Sequence, residues 1–296
     1  MSIEINKAFV QQFSDNLILL SQQKGSRLMP LVMNKKVTGK YAHFDRLGAT
    51  VAQKKVSRHG DTPLIDSAHS RRRVSMDDYE WADLIDTQDE IRMLIDPKSS
   101  YAQTGAFALG RAMDDAIIAA ATGNAQSIDA SDSSSNVALP SGQIIDNDFN
   151  TGDSNLIIEK LVEAKRILMS NNVDVKSEDL YFVVNASAHA SLLNETEIRS
   201  RDFNAMPALV DGLIDYYMGF KFVHTERLLG AGTADTDPVL CLAFAKSGLG
   251  LAVGKDVNVK ISERNDKSHA TQVYACATFG ATRIEDEKVV SVECAQ

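Results

Sequence analysis

The feature that most constrains this 296-residue chain is a helical stretch that begins near residue 97. Asp96 can cap a helix, and Pro97 suits the first helical position, because the N–H that proline lacks would be unpaired there. Gly123 is typical of a left-handed helix stop. The sequence therefore predicts one helix over about 97–122, roughly 39 Å long at 1.5 Å per residue. This stretch carries no catalytic pattern, so its length favours a structural strut.

The composition is that of an ordinary folded protein, with 44% hydrophobic and 24% charged residues. The net charge of −9 argues against a nucleic-acid-binding surface spread over the whole molecule. The three cysteines (Cys241, Cys276 and Cys294) have neither metal-ligand spacing nor a disulfide pattern, which suits a reducing cytoplasm. The sequence shows no signal-peptide pattern and no apolar run of the roughly 20 residues that cross a bilayer, so we expect a soluble protein.

The N-terminal segment has one apolar stripe at helical spacing. Its residues are separated by four, four, four and three positions: Ile5, Phe9, Phe13, Leu17 and Leu20. Gly25 and Pro30 then end the pattern. Two interpretations stay open here, since the helix could pack on its own domain or could be an arm that buries the stripe on a neighbouring subunit.

Residues 39–75 alternate as a strand pair. Tyr41, His43 and Asp45 point to one side, the turn lies at Gly60–Pro63, and Arg71–Val74 runs back. The predicted hairpin has few large apolar residues near its tip, so it should not be stable without a surface to lie on. Its basic residues are Lys54, Lys55, Arg58, Arg71, Arg72 and Arg73.

An acidic run follows the hairpin directly: Asp77, Asp78, Glu80, Asp83, Asp86, Asp89 and Glu90. One interpretation is that the basic and acidic runs are two separate solvated faces. The other is that opposed patches set the register between copies of the chain in a self-complementary assembly. We predict the second arrangement, with the arginines facing carboxylates of an adjacent subunit.

The second half of the chain predicts a mixed domain. A Ser-, Asp- and Asn-rich connector covers 123–153, and helices and short strands follow over about 154–255. The predicted helices are at 157–168, 186–193 and 206–217, the last ended by Gly219; the predicted strands are at 180–184, 220–224, 239–244 and 249–253. A long strand with one buried face is predicted over 270–284, followed by a short closing strand.

The usual catalytic and ligand-binding patterns are absent from the sequence. The segment Gly248–Lys255 lacks the first glycine of a phosphate loop, and Asp256 stands where Ser or Thr is required. Ser187 and His189 lie in no nucleophile elbow, and the six histidines never have the spacing of four that metal binding on a helix favours. For the adjacent pair Asp114 and Asp115 we expect one carboxylate in water and the other on a charged partner.

Two segments resemble the major capsid proteins of tailed bacteriophages with the HK97-type fold. The first is Ile85–Asn124, with Arg92-Met-Leu-Ile-Asp-Pro97 and Gly110-Arg-Ala-Met-Asp-Asp-Ala-Ile-Ile118; the second is Phe279-Gly-Ala-Thr-Arg-Ile-Glu-Asp-Glu-Lys-Val-Val290. The resemblance implies an α+β, HK97-like capsid fold. It assigns an N-terminal arm to 1–38, an extended E-loop hairpin to 39–84, a P domain with its spine helix and β-sheet to 85–153 and 256–296, and an A domain to 154–255.

The resemblance implies a non-enzymatic protein without cofactor or metal, made in the host cytoplasm, that self-assembles into the icosahedral head of a virion around double-stranded DNA. Implied partners are other copies in hexamers and pentamers, a separate scaffolding protein, a portal, decoration proteins, and DNA bound without sequence specificity. Alternatives are an encapsulin-type compartment shell or an α/β enzyme with an unrecognised site. The predicted subunit-interface residues are Ile5, Phe9, Phe13, Leu17, Arg58, Arg71, Arg72, Arg73, Asp77, Asp78 and Glu80.

Overall fold

A computed structural model describes residues 21–55, 57–58, 64–85, 98–128, 133–149, 152–195, 214–228, 230 and 238–295. Within these ranges the α-helices are α1 (Lys98–Thr122), α2 (Ile158–Ser170) and α3 (Ala186–Asn194). The strands are β1 (Met33–Lys36), β2 (Tyr41–Leu47), β3 (His69–Ser75), β4 (Asp77–Ile85), β5 (Ala125–Ile128), β6 (Ser134–Val137), β7 (Ile144–Ile145), β8 (Leu180–Val184), β9 (Tyr216–Tyr217), β10 (Phe220–His224), β11 (Val239–Ala245), β12 (Leu249–Arg264), β13 (Ala270–Arg283) and β14 (Val289–Cys294).

The chain divides into two compact units, of which the first contains described parts of 1–26, 77–113 and 255–279. In its sheet β13 lies between β12 and β4, and β13 pairs antiparallel with β4 from Thr271↔Ile85 to Phe279↔Asp77. One face of β13 is buried through Val273, Ala275, Ala277 and Phe279, and Tyr79 stacks on Phe279 with ring centroids 4.3 Å apart. The predicted long strand with one buried face is confirmed.

The second unit contains 27–76, 114–254 and 280–296, and its larger sheet has the strand order β7-β14-β11-β8-β10-β9. β8 runs parallel to β10 and antiparallel to β11, and all five residues of β8 are buried, as expected for a central strand of apolar residues. Helix α2 packs its apolar stripe, with Leu161, Ala164 and Leu168, into the same core. The helices predicted near 157–168 and 186–193 and the strands predicted at 180–184, 220–224 and 239–244 are confirmed.

A smaller sheet of the second unit has the order β2-β3-β5-β6. β2 and β3 pair antiparallel from Tyr41↔Ser75 to Leu47↔His69, which confirms the predicted hairpin. The 123–153 segment, however, is not a plain connector, because it supplies β5, β6 and β7. The strand β6 (Ser134–Val137) is almost wholly exposed. A strand at the edge of a sheet that buries few side chains has no alternation of apolar and polar residues, so the sequence pattern does not predict it.

Helix α1 spans Lys98–Thr122, which confirms the predicted strut; Asp96 and Pro97 lie outside the described residues. The left-handed stop at Gly123 is wrong, since Gly123 is not among the glycines with positive φ. Its amide instead donates to Ala119 O at 2.9 Å, and a Cβ at Gly123 would lie 2.6 Å from that oxygen. Position 123 therefore favours glycine because a larger residue would place its Cβ too close to this oxygen.

One other expectation for the second half needs correction. The end of the helix predicted at 206–217 is the short strand β9, and Gly219, with φ of +88°, forms the tight turn to β10; the residues before 214 lie outside the described ranges. The predicted short closing strand is β14, which pairs with β11 in the larger sheet. Its alternative partners were indistinguishable by pattern because a fully buried apolar strand fits any sheet interior.

We expect Gly110→Ala to lower the free energy of unfolding. A Cβ at Gly110 in α1 would lie 2.6 Å from the Cα of Gly25, and backbone cannot rotate away as a side chain does. Overpacking of this kind costs about 1–3 kcal/mol, against a gain of at most about 1 kcal/mol in helix propensity. Urea denaturation measures the difference. Gly142→Ala is the matched control, because nothing lies within 4 Å of a Cβ at Gly142; equal stabilities of the two variants would contradict this prediction.

Candidate subunit-interface site

The β2–β3 hairpin has two chemically different faces. Across the pair, Phe44 lies opposite Arg72, and Asp45 lies opposite Arg71. Successive side chains of a strand point to opposite faces, so Arg71 and Arg73 share one face and Arg72 lies on the other. The face of Arg72 is the buried one and packs through Ala42, Phe44, Val74, Ala252 and Ile284. The three consecutive arginines therefore cannot act as one patch.

Arg72 is an internal residue of the subunit, with an exposed fraction of 1%. Its Nη2 donates to Asp286 Oδ2 at 2.5 Å, and its Nε donates to Ile284 O at 3.4 Å. Burial lowers the pKa of the Arg72 guanidinium, and the neighbouring Asp286 carboxylate opposes that shift. The expectation that Arg72 faces an adjacent subunit is thus corrected, because its charge is already paired inside its own.

Asp286 holds a second arginine in the same buried cluster. Arg283 Nε donates to Asp286 Oδ1 at 2.5 Å, and the rest of the guanidinium donates to three main-chain oxygens: Ala121 O at 3.0 Å, Gly123 O at 2.8 Å and Val137 O at 3.0 Å. Carbonyls at a helix end have no partner in the helix, and Arg283 satisfies them here. We name Arg72, Arg283 and Asp286 the buried ion cluster.

The outer face of the hairpin keeps its charges at the surface. Arg71 Nε lies 3.3 Å from Asp45 Oδ1, and both side chains are more than half exposed. Arg73 Nε donates to Gln126 Oε1 at 3.0 Å, and its guanidinium lies over the Tyr41 ring, 5.0 Å from the centroid. Exposed contacts of this kind contribute only about 0–1 kcal/mol. The remaining arginine of the predicted interface, Arg58, is also exposed.

The predicted acidic residues Asp77, Asp78 and Glu80 lie on β4 and are exposed. Two of them accept hydrogen bonds from hydroxyls of β13: Thr278 Oγ1 donates to Asp78 at 2.6 Å, and Tyr274 O–H donates to Glu80 at 2.8 Å. In the sheet order β4 is an end strand. Charged residues on an end strand discourage indiscriminate strand addition and leave a negative surface available to a basic partner.

The N-terminal stripe (Ile5, Phe9, Phe13 and Leu17) lies outside the described residues, but the segment that follows it is held on helix α1. In the first unit, Arg111 Nη1 donates to Gln22 Oε1 at 2.8 Å and to Gln23 O at 3.2 Å. In the second unit, the amides of Arg27 and Leu28 donate to the two oxygens of Asp114 at 3.0 and 3.1 Å. Main-chain hydrogen bonds thus fix where the N-terminal segment meets the helix.

The adjacent aspartates of α1 both have partners. Asp115 accepts two hydrogen bonds from Arg227, each at 2.5 Å, and this contact raises the pKa of Arg227. The expectation of a charged partner is therefore confirmed for Asp115. The expectation that the other carboxylate faces water is wrong, because Asp114 is fully buried. Sequence could not show this, since its donors are amides about 86 positions away.

The residues considered for chemistry have structural contacts. His189 Nε2 accepts from the amide of Ile214 at 3.1 Å, and burial lowers the pKa of that histidine. The Ser187 hydroxyl accepts from Asn155 Nδ2 at 2.9 Å. Within the described ranges, no three or more His, Cys, Asp or Glu residues are grouped closely enough to hold a metal ion. None of the helices described here is long and apolar enough to span a membrane.

Comparison with known proteins gives a family match over nearly the whole chain. The model of the family described as "Phage capsid protein" matches residues 5–296. Comparison with curated proteins finds no match.

Solved phage capsids have the same fold. The capsid of cyanophage P-SCSP1u is 18% identical with a TM-score of 0.75, and the match covers 98% of this chain and 94% of that one. Mycobacterium phage Che8 is 18% identical with a TM-score of 0.68, covering 95% and 96%. The capsid of Ralstonia phage GP4 is 13% identical with a TM-score of 0.67, covering 96% and 94%. The predicted α+β, HK97-like capsid fold is confirmed. With a family match over residues 5–296, the chain belongs to the phage capsid protein family and is a capsid shell protein.

Proposed function

We propose that copies of this chain, made in the host cytoplasm, assemble as hexamers and pentamers into the icosahedral head of a phage and enclose double-stranded DNA. A separate scaffolding protein, a portal and decoration proteins are the proposed partners, and the DNA is held without sequence-specific contacts. Membership of the phage capsid protein family supports a shell role. The observation that supports assembly most directly is the exposure of Leu47, Val51 and Leu64 near the tip of the β2–β3 hairpin.

Large apolar side chains near the hairpin tip are exposed to solvent. Val51 is 80% exposed, Leu64 is 97% exposed and Leu47 is 65% exposed. Burying a large aliphatic side chain contributes about 1.5–3 kcal/mol, so covering these three residues on another copy would favour association. Subunit interfaces of obligate assemblies bury thousands of Å² in this way, and an extended hairpin supplies such an area from few residues.

We propose that the outer hairpin face and β4 supply charges of opposite sign to this contact. Arg58, Arg71 and Arg73 form the basic side, and Asp77, Asp78 and Glu80 form the acidic side. The contacts of Arg71 and Arg73 in their own subunit are exposed and weak, so they can be exchanged for contacts with another copy. Arg72 is left out of the interface because it is buried and its guanidinium is paired with Asp286 inside its own subunit. The N-terminal residues Ile5, Phe9, Phe13 and Leu17 remain proposed contacts to a neighbour.

We further propose the domain assignment that the capsid fold suggests. Residues 1–38 form the arm and 39–75 the E-loop hairpin. Helix α1 and the β4–β13–β12 sheet belong to the P domain, and the six-stranded sheet with α2 and α3 is the A domain. In this assignment the E-loop ends at β3, and β14 is part of the A domain, because its hydrogen-bonded partner is β11.

We expect the double variant Arg71→Glu, Arg73→Glu to fold but to form no closed shells. Each arginine has only exposed contacts in its own subunit, so the free energy of unfolding should change by no more than about 1 kcal/mol per residue. Circular dichroism and electron microscopy of the expressed protein measure the two effects. Normal particles from the double variant would show that the outer face is merely solvated.

Arg72→Ala is the matched comparison and should have the reverse profile. Removing one member of a buried ion pair costs about 3–5 kcal/mol, a large part of the 5–15 kcal/mol that stabilises a typical domain. We expect insoluble or unfolded protein rather than soluble, unassembled subunits. A stable Arg72→Ala subunit, measured by urea denaturation, would contradict the internal role of Arg72.

Raised salt should weaken assembly of the wild-type protein. The Debye length falls from about 10 Å at 0.1 M to about 3 Å at 1 M salt, which screens exposed charges far more than buried ones. We therefore expect fewer closed particles in light scattering and microscopy at high salt, with unchanged circular dichroism.

The enclosed cargo is tested separately. Particles purified from phage-producing cells should contain double-stranded DNA that nuclease cannot digest, and particles that hold only protein cargo would refute the proposal of a genome container.

A further inference from the structure

A lysine and a cysteine are in contact across the β12–β13 pair of the first unit. Lys255 Nζ donates to Cys276 Sγ at 3.1 Å. Cys276 is 7% exposed and Lys255 is exposed, so the sulfur lies just beneath the surface with a primary amine against it. This contact has no part in the proposed interface.

Tyr274 lies beside this pair, and a hydrogen bond holds its side chain. Tyr274 donates its O–H to Glu80 at 2.8 Å. This hydrogen bond to Glu80, together with burial and the contact with Cys276, raises the pKa of Tyr274 to about 12. The phenol thus stays protonated near neutral pH, and a protonated phenol is a poor nucleophile. Of the two side chains beside Cys276, Lys255 rather than Tyr274 is therefore the nucleophile that can react with an oxidised sulfur.

The other two cysteines have a different environment. Cys241 and Cys294 are buried in the core of the second unit, and the Cys294 side chain and burial raise the pKa of Cys241 well above its ordinary value. The nearby amine of Lys160 is held by three main-chain oxygens (Asn147, Ser154 and Glu293) at 2.7–3.1 Å. Buried thiols react slowly with oxidants, and Cys241 and Cys294 are 0% and 1% exposed against 7% for Cys276, so Cys276 is the most exposed of the three.

We propose that Lys255 and Cys276 are a site of oxidative modification, at which a peroxide converts the contact into a covalent N–S bond. Hydrogen peroxide first oxidises the thiol by two electrons: its O–O bond breaks, an S–O bond forms, and one water leaves. The resulting sulfenic acid is an electrophile that condenses with nitrogen. The free amine of Lys255 attacks the sulfur, the S–O bond breaks, and the hydroxyl leaves with an amine proton as a second water. Thiol, amine and peroxide thus give a sulfenamide and two waters.

The bridge ties two strands that hydrogen bonds alone hold in the reduced protein. It closes the β12–β13 hairpin covalently and so restricts the unfolded chain, as a disulfide does. Thiols reverse a sulfenamide by attacking its sulfur, so the link lasts only in an oxidising medium. The site would therefore distinguish subunits inside a reducing cell from subunits outside it.

The test uses the full-length protein treated with hydrogen peroxide in mildly alkaline buffer. After alkylation of the remaining thiols and trypsin digestion, peptide mass spectrometry should find one species that contains both Lys255 and Cys276. Its mass should be lower by two hydrogen atoms, its backbone should be uncut after Lys255, and dithiothreitol should abolish it. Peptide-level analysis is necessary because a disulfide between Cys241 and Cys294 would give the same intact mass.

Lys255→Arg is the matched control, since it keeps the cation but has no primary amine, and Lys255 is exposed, so the variant should fold. This variant, treated with dimedone during oxidation, should give a dimedone adduct at Cys276 in place of the linked species. In the wild type, an alkylated Cys276 thiol, a dimedone adduct with an unlinked Lys255, or a bridge that retains an oxygen atom would each overturn the assignment.

Discussion

The structure of the second unit depends on the buried ion cluster of Arg72, Arg283 and Asp286. One carboxylate, that of Asp286, is shared by two guanidiniums, each at 2.5 Å, and Arg283 also donates to carbonyls at the end of α1 and on β6. Strand β3, the end of the long helix and the approach to β14 are thus held by one set of hydrogen bonds. Because removing one partner of a buried charge pair is strongly destabilising, the cluster favours this arrangement of the three segments.

With the inner face of the hairpin fixed in this way, its outer face and tip stay exposed to solvent. The inner side chains Ala42, Phe44 and Val74 are buried, whereas the tip exposes apolar residues and the outer arginines make contacts of little energy. In the proposed assembly this division separates two roles: the inner face stabilises the subunit, and the outer face is the proposed contact with a neighbour.

The sequence predicted several elements correctly because their signals are local. Helix α2, the β2–β3 hairpin and the one-faced strand β13 follow from periodicities of 3.6 and 2, and helix α1 follows from the local start signal of Asp96 and Pro97. The same period of 2 puts Arg72 on the face opposite to Arg71 and Arg73, so strand alternation alone is enough to separate the three arginines. The interface residues Arg58, Arg71, Arg73, Asp77, Asp78 and Glu80 remain predictions, and the N-terminal stripe lies outside the described residues.

The sequence by itself determined the main helices and strands, the likeness to phage capsid proteins, and the charge of each run. Tertiary structure alone decided the partners. Asp286 lies more than 200 positions from Arg72, and Asp114 binds amides about 86 positions away. Strand β14 pairs with β11, although β13 is the strand that precedes it in the chain. The physical reason is that secondary structure depends on neighbours within a few residues, whereas burial, pKa shifts and charge pairing depend on which distant segments the fold brings together.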